Sequence, residues 1–390
     1  MTRVCRSGSC YRQRPDPPSG RHSRTGATPF AAQHWLAARA SSADLYHWPM
    51  QTIEVVQYRS LRPGPRLIVT GAVHGNETCG PIAIREAIAC FASGQWRLAR
   101  GMLSFVPIAN PLAHAAGRRE GDRNLNRDFR PTVVAQDAED RIANHLAPLL
   151  AEHEALLDLH SFSAPGEAFV FLGPQDNDSE LEPFAHEAQE TAFALAAGPS
   201  RLVYGWLSAY AKGAVKRPNG SVAYGIGTTE YMRHRGGYAI TVECGQHADP
   251  CAPSVAARAI ENSLRLLGLL DGDTPTAGAG VSRSSDSRPG DADAPGNMHR
   301  DAPVELIELC DVHDRHDEGD RFARQWRSFD RLARGETIAV RKDGSLIEAP
   351  QDGYVVFPNP NATPGREWFY FARPGDRPLP VGLTAGRRPA

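Results

Sequence analysis

Residues 66–73 read RLIVTGAV, and residues 74–77, directly after them, read HGNE. A run this apolar and β-branched reads as a buried strand, and the polar tetrapeptide falls where the chain leaves the sheet. A helical stretch from about Cys79 to Ala92 comes next, and the same arrangement then recurs. Met102–Ile108 (MLSFVPI) is a second buried strand, ending in Ala109, Asn110 and Pro111. The helical segment Ala135–His153 carries Ile142, Leu146, Leu149 and Leu150 on one face. Ala155–Leu159 (ALLDL) runs into His160, and Tyr238–Glu243 (YAITVE) ends on a carboxylate. Ser254–Leu270 is a closing helix, with Val255, Ile260, Leu264 and Leu267 at near-helical spacing. Short apolar runs alternating with helices predict an α/β fold, a mostly parallel or mixed sheet with helices on both faces.

Outward from this core the composition changes. Thr52–Tyr58 is the first strand-like run, directly after Met50. Residues 1–49 carry many Arg, Ser and Pro and are expected to be a disordered extension, or to precede a natural start at Met50. The α/β domain is expected over 50–270 and a flexible linker rich in Gly, Asp, Ser and Pro over 271–302. Short β-type runs between turns then predict a small all-β domain over 303–374, and 375–390 a tail.

A formal net charge of -2 over 390 residues argues against a general nucleic-acid binder. No apolar run reaches the roughly 18 residues of a membrane helix. The seven cysteines are scattered and odd in number, as expected of reduced thiols in a cytoplasmic protein rather than a disulfide framework.

The polar residues at the strand ends give the first functional reading. In an open parallel sheet, ligands bind beyond the carboxyl ends of the strands, so His74, Asn110, His160 and Glu243 are expected to converge on one cleft. His74 and Glu77, three positions apart on a turn entering a helix, can share one ion, with His160 as third ligand and Asp158 orienting it. A His₂Glu set leaves a coordination position open for catalysis. Alone, the HxxE spacing is a weak signal and better fits a capping or surface histidine with a helix-initiating glutamate. Residues 117–130, GRREGDRNLNRDFR, fit a solvated basic loop, but Leu125 and Phe129 are apolar anchors around Asn126 and Arg127. A guanidinium there suits bidentate capture of a carboxylate.

Taken together, HGNE at 74–77, NLNRDF at 124–129, DLHS at 158–161 and VECG at 242–245 resemble the succinylglutamate desuccinylase/aspartoacylase family, which is similar to the zinc carboxypeptidases. The resemblance covers about residues 52–270, making 50–270 a zinc-hydrolase catalytic domain. It implies one Zn²⁺ per chain on His74, Glu77 and His160, Glu243 as general base and later acid, and Arg119 polarising the scissile carbonyl. Asn126 and Arg127 are implied to grip the substrate carboxylate, and Arg233, with Arg235 competing for the position, to add a further substrate contact. Asn124 departs from the Asp of many relatives, and Tyr354 and Tyr370 compete as the C-terminal tyrosine that contacts substrate in some members.

The expected activity is removal of an acyl group from a small anionic N-acyl amino acid, in a possible homo-oligomer. A carboxypeptidase-type peptide hydrolase and a non-catalytic binding module on the same fold are the alternatives. A nucleotide-binding module is disfavoured because no Gly-rich phosphate loop follows a strand. The run Asp311–Asp320, with His313 and His316, is expected to be a solvated face, and the C-terminal β domain a lid or wall over the site.

Overall fold

The structure, a computed structural model, describes residues 52–217, 220–271 and 303–379. The expected N-terminal extension, residues 272–302 of the linker and the end of the tail lie outside them.

The chain opens with β1 (Val56–Arg59), β2 (Arg66–Gly71), α1 (Cys79–Ala92), β3 (Met102–Val106) and α2 (Pro111–Ala115). It continues through α3 (Ala138–Ala151), β4 (Ala155–Phe162), β5 (Phe169–Phe171), α4 (Glu187–Ala196), β6 (Arg201–Tyr204) and α5 (Trp206–Ala214). Then come α6 (Thr228–His234), β7 (Tyr238–Gln246) and α7 (Ala252–Leu266). The C-terminal part holds β8 (Glu305–Asp314), β9 (Arg321–Phe322), β10 (Asp330–Leu332), β11 (Thr337–Val340), β12 (Leu346–Glu348), β13 (Gly353–Val356) and β14 (Glu367–Pro374).

Strands β2, β3, β4 and β7 are parallel neighbours at one end of an 11-stranded mixed sheet. Side chains alternate across a strand, so β2 serves both faces. Leu67 and Val69 pack with Ile84 and Phe91 of α1, Phe193 of α4 and Ile260 of α7. Ile68 points the other way, among Ile142, Leu146 and Leu150 of α3 and Met232 of α6. The expected α/β architecture is therefore present, with helices on both faces.

Helix α1 has the expected bounds, whereas α3 is shorter than its apolar periodicity suggested. Asp137 caps α3 by accepting from the Asp140 N–H at 2.7 Å, which starts the helix three residues after Ala135. Strand lengths differ in both directions: β2 and β3 end two residues before their apolar runs do. β4 and β7 run past their apolar stretches, pairing His160 with Glu243 in the ladder. A strand continues through polar residues when the ladder and a cleft satisfy them.

The C-terminal region is all β, and β8 pairs in parallel with β6, from Arg201 with Glu305 to Tyr204 with Glu308. It thereby extends the same sheet through β14, β13 and β10, while β12, β11 and β9 form a separate three-stranded sheet. Among the described residues no helix is long and apolar enough to cross a membrane.

Candidate functional site

The loop leaving β2 carries His74 and Glu77 into a buried position above the sheet. Gly75 makes this possible: a Cβ there would fall on the Ala113 backbone at the start of α2. Its N–H donates to the Arg119 carbonyl at 3.2 Å, which ties the loop to the segment bearing that arginine. β4 supplies His160 from the neighbouring strand.

His74, Glu77 and His160 are 4%, 1% and 2% exposed, and one ligand atom from each lies within 4.8 Å of the others. His74 Nδ1 is 2.8 Å from Glu77 Oε1, and His160 Nδ1 is 3.0 Å from Oε2. The outward Nε2 atoms meet acceptors. Asn124 Oδ1 takes the Asn126 backbone N–H at 2.8 Å and faces His74 Nε2 at 3.0 Å. A backbone N–H can only donate, so that side-chain atom is the oxygen; His74 thus meets an acceptor at each nitrogen, Asn124 Oδ1 at Nε2 and Glu77 Oε1 at Nδ1, one more than the single N–H of a neutral imidazole serves, and an ion at Nδ1 would resolve the mismatch. Behind His160, Asp158 Oδ2 lies 3.0 Å from Nε2. That approach is off the N–H axis, since Nε2 makes no aligned hydrogen bond; it is an ion-pair contact. Thr70 and Thr228 hydroxyls donate to the two Asp158 oxygens, each at 2.6 Å.

Burial pushes the His74 pKa down to about 4, helped by Arg119, so its imidazole is neutral. Burial also opposes the charge on His160, but Asp158 and Glu77 outweigh it and hold its pKa well above the ordinary value. Glu77, desolvated yet flanked by both imidazoles, ends well below the usual carboxylate range. Glu243 behaves oppositely. Burial, with the Glu77 charge adding, raises its pKa to about 8 against the pull of His160 and Arg119. Its Oε2 is buried and has no protein partner. Two inward imidazole nitrogens and a carboxylate, each backed from outside, fit a divalent ion of the zinc type.

The remaining sequence-predicted residues separate. Arg119 is half-exposed and reaches Glu77 Oε1 at 3.4 Å. Asn126 lines the cleft, its Oδ1 accepting from the Thr228 N–H at 2.9 Å. Arg127 is buried, stacks over Trp206 at 4.7 Å, and pairs with Glu367 at 3.2 Å. Arg233 is the centre of a closed cluster. Its Nε and Nη2 each meet Glu190 at 3.0 Å and Nη2 also the Ala239 carbonyl at 2.9 Å, while Nη1 reaches Glu182 at 3.0 Å and Glu230 at 3.5 Å. All five guanidinium N–H groups are thereby directed at protein acceptors. Arg235 is exposed and is not among the cleft-lining residues.

Asn110 does not join the cleft as expected. It caps α2, accepting from Ala113 N–H at 3.1 Å and donating to Glu139 at 2.9 Å. An asparagine followed by proline at a strand end satisfies the next helix instead. The run Asp311–Asp320 is not a solvated face throughout: His313 stacks on Phe369 at 4.7 Å and Asp320 is buried against Arg341 at 2.7 Å. Of the two competing tyrosines, Tyr370 lines the cleft, whereas the Tyr354 hydroxyl donates to Glu305 at 2.9 Å. Sequence reasoning missed Glu367, Trp206 and Tyr210, all cleft-lining. Glu367 and Tyr370 are three apart on β14 and would face opposite sides of a regular strand. A register shift between Glu367 and Phe369 lets the Tyr370 hydroxyl meet Glu367 at 3.1 Å.

Residues 63–267 match the succinylglutamate desuccinylase/aspartoacylase catalytic domain, just over half the chain. A rat N-acyl-aromatic-L-amino acid amidohydrolase (carboxylate-forming) is 36% identical over 135 residues, 31% of this chain and 41% of the relative. A protein of Parasynechococcus marenigrum named "Probable aspartoacylase" is 30% identical over 164 residues, 35% of this chain and 51% of the relative. The chain thus spans about half or less of these relatives' lengths. Among solved structures, the ectoine utilization protein of Ruegeria pomeroyi superposes with a TM-score of 0.58 at 20% identity, over 82% of this chain and 88% of that one. A succinylglutamate desuccinylase/aspartoacylase from Rhodobacter sphaeroides gives 0.60 at 18% identity, over 83% and 90%. Those likenesses carry the fold, and the domain match over the segment that builds the His–Glu–His cluster carries the lineage: the chain belongs to the succinylglutamate desuccinylase/aspartoacylase family.

Proposed function

We propose that this chain is a zinc-dependent hydrolase that cuts the amide bond of an N-acyl amino acid, releasing a carboxylic acid and the free amino acid. The observation that carries the reading is the inward-turned pair of Nδ1 atoms around Glu77, next to a carboxyl, Glu243, whose Oε2 has no protein partner. One ion per chain would be held by His74, Glu77 and His160. When bound, zinc acidifies water and polarises an amide carbonyl.

The chain's own residues divide the rest of the work. Glu243 takes the proton of the attacking water and returns it to the departing nitrogen. Arg119, half-exposed beside Glu77, donates to the carbonyl oxygen as negative charge develops there. Asn126 and Arg127 hold the substrate carboxylate with the donors left free by their protein partners. Asp158 and Asn124 keep the two imidazoles in orientation. The family membership and the names of the two curated relatives, an amidohydrolase and a probable aspartoacylase, support the same reaction class.

Elemental analysis and chelation test the proposal. One zinc per chain is expected, with hydrolysis of N-acyl amino acids lost on chelation and restored by zinc. Hydrolysis that survives complete metal removal would overturn it.

A further inference from the structure

The cleft above the ion site has a volume of 1630 Å³, larger than an acetylated amino acid needs. Its charges are already matched. Arg127 meets Glu367 at 3.2 Å, and Arg217 is held by both Asp314 oxygens, each at 2.7 Å. Arg233 lies among Glu182, Glu190 and Glu230, and Arg341 meets Asp320 at 2.7 Å. Arg315 spreads its donors over backbone carbonyls, with Glu318 at 3.8 Å. Among the described residues, the other cleft cations besides Arg119 are Lys216 and Arg366, both exposed, where water screens them.

The same cleft carries a continuous aromatic wall. Phe162, two residues beyond His160 on β4, contacts Phe357 with centroids 5.6 Å apart, and Phe357 lies 6.0 Å from Phe171. Phe171 lies 6.2 Å from Trp206, and Trp206 lies 5.4 Å from Tyr370. Phe171, Trp206 and Phe357 are only partly buried, so rings remain available to a ligand. An apolar strip bordered by matched charges, running away from an ion site, suits a flat or bulky apolar group.

We infer that the preferred substrate carries a single carboxylate and an aromatic or bulky apolar group, and that N-acyl derivatives of dicarboxylic amino acids are disfavoured. The inference rests on the deacylase reading and narrows its substrate class. A first carboxylate can use Arg119 and the remaining Arg127 donors. A second would be buried against Glu367, Asp314 or Glu182, or against ring faces, with no buried cation left unmatched.

The test is calorimetric binding of N-acetylphenylalanine and N-acetylaspartate to the zinc-loaded Glu243→Gln protein, with wild-type kcat/KM for both as a second reading. The phenylalanine derivative is expected to be favoured by about tenfold or more. Equal preference, or preference for aspartate, would overturn the inference. Binding is read apart from turnover: ligands ranked as stated but hydrolysed by neither enzyme would sink the deacylase reading and leave the cleft's preference standing. Glu367→Gln removes the matched charge at Arg127 and should move the ratio towards aspartate by about tenfold. A ratio unchanged by that substitution would overturn the charge argument.

Discussion

Two buried polar clusters line the same cleft and are built from similar parts. Around Arg233, three carboxylates enclose one guanidinium, and every N–H finds an acceptor. Around Glu77, two imidazoles and a second carboxyl crowd together with no buried guanidinium or ammonium, and Glu243 Oε2 is left without a partner. Buried polar groups are almost always satisfied, by the protein or by ordered water. The closed cluster therefore accounts for itself as scaffold, whereas the open one is complete only with something added. Similar residue types thus separate into structure and chemistry by closure.

The sharpest way to break that distinction is Glu243→Gln. Turnover is expected to fall by about 10²–10⁴-fold with zinc content unchanged; steady-state kinetics with elemental analysis reads both. Near-normal turnover would remove Glu243 from the open cluster's chemistry. Next is Arg233→Met, which strands three carboxylates, Glu190 and Glu230 buried and Glu182 partly so, and should cost on the order of 3–5 kcal/mol of stability in urea unfolding. A variant of normal stability with weakened substrate binding would instead place Arg233 among the substrate contacts that the resemblance implied. Asp158→Asn tests the support behind His160: zinc affinity, by chelator competition, should drop about 10–100-fold while the fold remains.

The smallest effect is a pH dependence in the closed cluster. Burial, with Glu230 and Glu190 adding, raises Glu182 from 4.5 to about 7 despite Arg233. A folded pKa above the unfolded one favours the protonated carboxyl, so its contribution is complete below about 4.5 and is lost as pH rises through 7. Glu182→Gln should therefore gain on wild type between pH 5 and 8, by roughly 1–3 kcal/mol. Denaturation midpoints at the two pH values check this, and an advantage that shrinks as pH rises would contradict it.

Legibility in the sequence followed how local the cause was. The HGNE turn, the strands ending near His160 and Glu243, and the two-faced packing of β2 all follow from short apolar runs and what comes after them. Asn110 was misassigned to the cleft because a strand-end asparagine and a helix cap look alike until the next helix is placed. Glu367 and Tyr370 were unreadable as a pair because a strand irregularity, invisible in composition, brings them together. Arg233 offered only a spacing, and the fate of its donors depended on glutamates 43 and 51 positions away.

By itself the sequence determined the α/β architecture and which residues could bind an ion, since period, burial and ligand chemistry are properties of short segments. Only the tertiary structure decided which polar groups are already answered. Whether a buried charge is free or matched depends on partners brought from distant strands, and on that difference turns the separation of a reactive site from a structural ion pair.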